Sequence, residues 1–152
     1  MNVKWQKRFM KIAKEISYWS KDPSSKIGCI AVDNNKRILS TGYNGIPSLI
    51  EDTSNILDVR ENKLDYIIHA EPNCLLNALK NGVSVKNSVL FVYGLPICSN
   101  CANYIIQSEI SKVYYCIDSN NNIEYWNNIF KEKSLHKFIE ANIPVEEIFI
   151  DD

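Results

Sequence analysis

His69-Ala70-Glu71-Pro72-Asn73 and Pro96-Ile97-Cys98-Ser99-Asn100-Cys101 are the stretches that decide how this chain is read. One imidazole and two thiols are donors of the kind zinc takes, and three protein ligands leave a fourth position free for water. Cys98 and Cys101 stand three residues apart, so at the opening of a helix their sulfurs share a face and one metal reaches both. The unpaired amides and dipole of a first turn favour thiolate, the form that binds metal. Pro72 is tolerated only in a first helical turn, and Leu75, Leu76 and Leu79 follow at helical spacing, so His69 starts a second helix. The pattern predicts two helix N-termini brought together around one ion.

Glu71 turns a metal site into a catalyst. Its carboxylate need not ligate, so it can accept a proton from bound water and hand it on to a substrate. The metal contributes the larger share: lowering a water pKa from about 15.7 to about 7 is worth on the order of 12 kcal/mol. The competing reading is a catalytically silent zinc scaffold that only binds nucleotides or a partner. Loss of the carboxylate would be its signature, and Glu71 is present.

H-x-E followed by P-C-x-x-C is the signature of the zinc nucleobase deaminases, in which the Glu is general acid/base and not a ligand. His69-Ala70-Glu71 with Asn73 resembles the H-A-E-x-N block of the deoxycytidylate (dCMP) deaminases within the cytidine/deoxycytidylate deaminase superfamily. Asp22-Pro23-Ser24-Ser25-Lys26-Ile27-Gly28, Gly42-Tyr43-Asn44-Gly45-Ile46-Pro47 and Ile105-Ile106-Gln107-Ser108 extend the resemblance from about Trp5 to Ile150. Two departures stand out: Ile97 fills the place before Cys98 where the family usually has Pro, and Ser48-Leu49 replaces an Arg-Gly pair.

The resemblance implies a three-layer αβα fold of the cytidine-deaminase type and hydrolytic deamination of dCMP to dUMP and ammonia, feeding thymidylate synthesis. It implies one catalytic Zn2+ per chain, held by His69, Cys98 and Cys101, with Glu71 catalytic. It implies substrate contacts at Asn44, Lys26 and Ala70, with Asn44 at the sugar and Lys26 near the phosphate. It further implies that dCTP activates and dTTP inhibits through a site that includes Tyr43 and Gly45, and that the chain assembles as a homo-oligomer, a hexamer in relatives. An enzyme that also takes dCTP, a deaminase of free nucleosides or bases, and a tRNA adenosine deaminase are the alternatives within the class.

Composition narrows the partners. At 152 residues the chain fits a single domain over 1–152, long enough to bury roughly 68 to 70% of its unfolded surface. Seventeen Lys and Arg against 18 Asp and Glu leave a formal charge of -1, so no global field exists to hold a nucleic-acid polymer. A mononucleotide needs only a few local donors. No apolar run suits a signal peptide or membrane span, which predicts an intracellular, cytoplasmic protein. Frequent Asn, Ile and Lys suggest an AT-rich genome, such as that of a virus, phage or small-genome bacterium. Five cysteines in a reducing compartment are ligands and core residues rather than bridges, so Cys29, Cys74 and Cys116 are expected to be buried.

Along the chain, Trp5, Phe9, Ile12, Ile16 and Trp19 mark a helix over 2–20 with one apolar stripe. Strands are expected at Ile27 to Val32 and Arg37 to Gly42, paired as a hairpin around Asp33-Asn34-Asn35. Residues 46–65 are expected to form a long surface loop. A helix from Ala70 to Asn81 stops at Gly82, and strands follow at Ser88 to Tyr93 and Lys112 to Ile117. Two short helices, Ile123 to Phe130 and Leu135 to Ile139, the second capped by Ser134, precede a strand at Glu147 to Ile150. His136 is expected to be exposed and without a role. Crossover rules make the last two strands parallel, giving a five-stranded mixed sheet with helices on both faces.

Overall fold

The computed structural model describes residues 1–151. Its elements are α1 (Val3–Ser17), β1 (Gly28–Val32), β2 (Ile38–Tyr43), α2 (Ser54–Leu57), α3 (Arg60–Tyr66), α4 (Ala70–Lys80), β3 (Val89–Gly94), α5 (Ser99–Gln107), β4 (Lys112–Ile117), α6 (Ile123–Lys133), α7 (Leu135–Glu140) and β5 (Val145–Glu147). The sheet order is β2-β1-β3-β4-β5. β1 pairs antiparallel with β2 and β3, whereas β3–β4 and β4–β5 are parallel. The expected mixed sheet with a parallel final pair is what forms.

Alternation along the strands divides the core in two. Ile30, Val32, Phe91 and Tyr114 face α1 through Phe9, Met10, Ala13 and Ile16. Cys29, Ala31, Leu90, Val92, Val113 and Tyr115 face the other way, onto Ala70, Cys74, Cys101, Ala102, Phe130 and Phe138 of α4 to α7. Burying a side chain of this size contributes roughly 1.5–3 kcal/mol, so the central strands carry much of the stability. Ile97 is 1% exposed within the second cluster. An apolar residue rather than Pro before Cys98 therefore fills core volume.

The boundaries differ from expectation at several points. α1 stops at Ser17, and Trp19 is 61% exposed, outside the apolar stripe. The chain turns there because the Ser20 hydroxyl donates to the Asn44 carbonyl at 2.7 Å. Residues 46–65 contain α2 and most of α3 instead of an unbroken loop. β5 lies at Val145–Glu147, ahead of the apolar pair that marked 147–150, although the Ile148 amide still reaches the Tyr115 carbonyl at 2.8 Å. Ser134 makes no side-chain cap. Cys29, Cys74 and Cys116 are buried as expected, and His136 is exposed.

α4 is stitched to the open side of the edge strand β2. Asn73 and Asn77, one turn apart, donate to the Tyr43 and Thr41 carbonyls at 2.8 Å each, and the Ser40 hydroxyl donates to the Cys74 carbonyl at 2.7 Å. The two asparagine bonds satisfy backbone acceptors that an edge strand leaves unpaired, and the serine bond runs from the strand to a carbonyl of α4. Gly42 makes the close approach tolerable, because a Cβ there would run into the Cys74 amide and lie 2.6 Å from the Ala70 carbonyl. Gly42→Ala should push α4 off β2 and destabilise the protein by about 3 kcal/mol or more, read from urea unfolding midpoints.

Candidate active site

Four segments end at one edge of the sheet. Gly28 opens β1 between Tyr43 of β2 and Tyr93 of β3, so the beginning of β1 and the ends of β2 and β3 coincide. Lys26 and Ile27 lead in there, Asn44 leaves there, and the chain from Gly94 runs on to Cys98. His69 is the N-cap of α4 and Cys98 the N-cap of α5, with Cys101 in that helix's first turn. Two helix N-termini therefore meet, as the spacing predicts.

His69 Nδ1 lies 3.5 Å from Cys98 Sγ and 3.3 Å from Cys101 Sγ. All three donor atoms fall within 4.8 Å of one another, and no other such group of His, Cys, Asp or Glu occurs among the described residues. Tetrahedral zinc with Zn–N near 2.0–2.1 Å and Zn–S near 2.3 Å places N and S about 3.6 Å apart, so these side chains stand at ligand spacing. The donor set fits zinc in type, number and separation.

Electrostatics agree with that fit. A hydrogen bond with Cys101, helped by His69 and by the Cys101 amide, holds the Cys98 thiol down to about 4 against burial. The same hydrogen bond and burial push Cys101 up, and metal binding to thiols displaces their protons. His69 is raised chiefly by its hydrogen bond to Cys98, with Glu71 and Asp22 contributing. Glu71 is 4% exposed, and burial raises its carboxyl to about 7. A carboxyl titrating there can both take and give a proton at neutral pH.

The remaining expected site residues fall in three places. Ala70 is fully buried at the first position of α4, beside His69 and Glu71. Lys26 is exposed in the segment before β1, at the same end of the sheet. Asn44 is 5% exposed. Its amide oxygen accepts from the Ile27 amide at 2.8 Å, and its nitrogen donates to the Ser25 carbonyl at 2.8 Å and to Asp22 Oδ2 at 3.4 Å. What Asn44 keeps free is one lone pair on oxygen. Tyr43 and Gly45 line a separate cavity of about 170 Å³ with Trp19, Lys21 and Asp52, where the Trp19 and Tyr43 rings meet edge-on at 6.0 Å.

A larger apolar groove of about 890 Å³ runs between α3, α4 and α5 and reaches His69 and Cys101 at one end. Glu71, Ala70, Cys98, Asn44 and Lys26 do not line it.

One element was not expected at all. Lys63 of α3 is buried, its ammonium 3.0 Å from Asp22 Oδ1 and 3.0 Å from the Ser24 hydroxyl. The side chains of Lys63 and Asp22 are 5% and 7% exposed. The same Asp22 oxygen accepts from the Ser24 and Ser25 amides at 2.7 and 3.2 Å. Removing one partner from a buried pair like this costs about 3–5 kcal/mol, because the other charge stays buried. Nothing local signals it: Lys63 sits in a polar stretch 41 residues from its partner.

A metal-ligating imidazole and two thiols at paired helix N-termini, with a buried carboxyl two residues from the imidazole, define the centre of a zinc-dependent hydrolytic deaminase. Residues 3–117 match the family described as the cytidine and deoxycytidylate deaminase zinc-binding region, and the chain belongs to that family. A probable deoxycytidylate deaminase of Caenorhabditis elegans is 33% identical over 150 residues, covering 97% of this chain and 71% of its own length. An uncharacterised deaminase of Aliivibrio fischeri is 35% identical, covering 99% of this chain and 98% of its own. The dCMP deaminase of cyanophage S-TIM5, solved in complex with dCMP and dUMP, superposes with a TM-score of 0.72 at 26% identity, over 97% of this chain and 99% of that one.

The ligand set is checked by metal content. Purified protein should carry one zinc per chain by atomic emission, and Cys98→Ser, Cys101→Ser and His69→Ala should each strip the metal close to completely while His136→Ala leaves it in place.

Proposed function

We propose that this chain deaminates dCMP to dUMP, with His69, Cys98 and Cys101 as ligands and Glu71 as general acid/base. The observation that supports it most is the buried Glu71 carboxyl beside the three-donor cluster, at the sheet end where Lys26 and Asn44 also lie. Relatives named for dCMP, spanning most or all of this chain, support the choice of substrate.

Zinc, when bound, supplies Lewis acidity that makes water a nucleophile at neutral pH. The chain's own residues do the rest. Glu71 accepts the proton lost by the water attacking C4 and delivers it to N3 of the ring, then takes the remaining proton from the new C4 hydroxyl and passes it to the amine, so that the C4 carbonyl forms as ammonia leaves. Its raised pKa suits both directions of transfer. Ala70, at the mouth of α4, presents backbone to the ring. Asn44 accepts from a sugar hydroxyl through its remaining lone pair, and Lys26, exposed and charged, meets the phosphate.

The same reading assigns Tyr43 and Gly45 to an effector site for dCTP as activator and dTTP as inhibitor. The support is a cavity apart from the metal cluster that carries exposed aromatic surface and a lysine. It includes assembly as a homo-oligomer, hexameric as in the resemblance, for which exposed Leu64, Leu79 and Tyr104 along the apolar groove provide an uncovered face. No helix among the described residues is long and apolar enough to cross a membrane, and an intracellular site of action belongs to this reading.

Ammonia release from zinc-loaded protein, measured across dCMP, dCTP, CMP, deoxycytidine and cytosine, tests the substrate. dCMP should be preferred, and added dCTP or dTTP should move its rate in opposite directions. Conversion of another cytosine compound with dCMP untouched would refute the assignment. Glu71→Gln should keep zinc and dCMP binding while losing about 10²–10⁴-fold in kcat. Retained turnover in that variant would remove Glu71 from the chemistry.

A further inference from the structure

Lys63 lies outside the catalytic cluster, yet it ties that cluster's two sides together. On one side, residues 20–27 and Asn44 form a single hydrogen-bonded unit. The Ser20 hydroxyl donates to the Asn44 carbonyl and accepts from the Asp22 amide, and the Asn44 side chain bonds Asp22, Ser25 and Ile27. On the other side, the chain runs from Lys63 of α3 to His69 in six residues. The Ile67 amide bonds the Lys63 carbonyl at 2.8 Å, and Ile68 exchanges two backbone bonds with Gly45, at 2.9 and 3.0 Å, immediately before His69. The Lys63 ammonium, bonded to Asp22 and to the Ser24 hydroxyl, links these two sides directly through side chains.

We propose that Lys63 is a positioning residue for the deamination reaction: its buried bond to Asp22 fixes the substrate-side unit, bearing Lys26 and Asn44, relative to His69 and Glu71. The proposal rests on the assignment of Lys26 and Asn44 to the substrate. Fold stability alone does not call for a charged pair at this place, since a buried ion pair is no better than well-packed apolar residues and is often worse. What the pair supplies is a specific geometry. Asp22 takes two amides, the ammonium and the Asn44 amide group, and Lys63 takes Asp22 and Ser24, so the loop has one register against α3.

The test uses full-length zinc-loaded protein with Lys63→Met and the double variant Lys63→Met/Asp22→Asn. The single variant leaves Asp22 charged and unpaired and is expected to lower Tm. The double variant removes both charges and keeps an amide oxygen for the Ser24 and Ser25 amides, so Tm is expected to recover. Its new NH2 faces the Asn44 Nδ2 that Asp22 Oδ2 accepts from, so Asp22→Asn with Lys63 kept is the control, and the KM effect of Lys63 is the excess over that control. If Lys63 positions substrate, the double variant keeps one zinc per chain and a kcat within about threefold of the parent, while KM for dCMP stays raised by about tenfold or more. A KM that returns to the parent value together with Tm overturns the proposal, because a merely stabilising pair would behave that way. Hydrogen exchange at the Gly45 and Ile68 amides provides a readout without substrate, and the double variant should exchange faster there than the parent. If the parent converts no dCMP, the substrate assignment fails, and unchanged exchange at those amides would separately refute the role of Lys63.

Discussion

The structure depends on bringing one imidazole nitrogen within 3.3 and 3.5 Å of two sulfurs from a different helix. That demand fixes a great deal. Both helices must begin at the same end of the sheet, so the strands that feed that end must run in one direction. β2 and β3 do, each antiparallel to β1, which lies between them. The helices must also lie close to the sheet and to each other, which Gly42 and the small residues Ala70, Cys74 and Ala102 permit. The Glu71 carboxyl then falls in the first turn of α4, and burial is the main cause of its raised proton affinity. The position and the chemistry of Glu71 thus have one cause.

Two kinds of interaction divide the work. The interior between and behind the strands is apolar, and its side chains alternate between two clusters with the strand period. The catalytic end of the sheet is held by directed polar bonds: Asn73 and Asn77 onto β2, Asn44 into the turn before β1, and Lys63 onto Asp22. Apolar packing resists unfolding but tolerates small slides of one element on another. Hydrogen bonds to fixed backbone atoms do not, and they are concentrated where a displacement of about 1 Å would cost rate.

This division explains what was legible in the sequence. The hairpin, the parallel crossovers and the paired N-termini follow from periodicity and from Pro, Gly and Cys placements, all of which act over a few residues. The clustering of His69, Cys98 and Cys101 beside Glu71 was legible because the spacing is local within each motif. α3 was not: Arg60 to Tyr66 carries no apolar stripe, and its docking rests on a lysine whose partner is 41 residues away. Trp19 misled because an aromatic at helical spacing was assigned to the core, whereas it projects beside Tyr43 at the surface. The last strand was set too late because Ile148 and Ile150 are more apolar than Val145–Glu147, yet it is the earlier residues that complete the ladder with β4.

The ligand arrangement also makes the metal centre a cross-link. His69 and Cys98 are 29 residues apart, and an ion that joins them closes a loop containing α4 and β3. By the entropy relation used for covalent bridges, constraining a loop of that length in the unfolded chain is worth about 3–4 kcal/mol. A chain whose five cysteines are all free can obtain that restraint from a bound ion instead. Loss of the ion would then do more than stop the chemistry: it would free the unfolded chain and shift the balance toward it, so the population of folded molecules would follow the supply of metal.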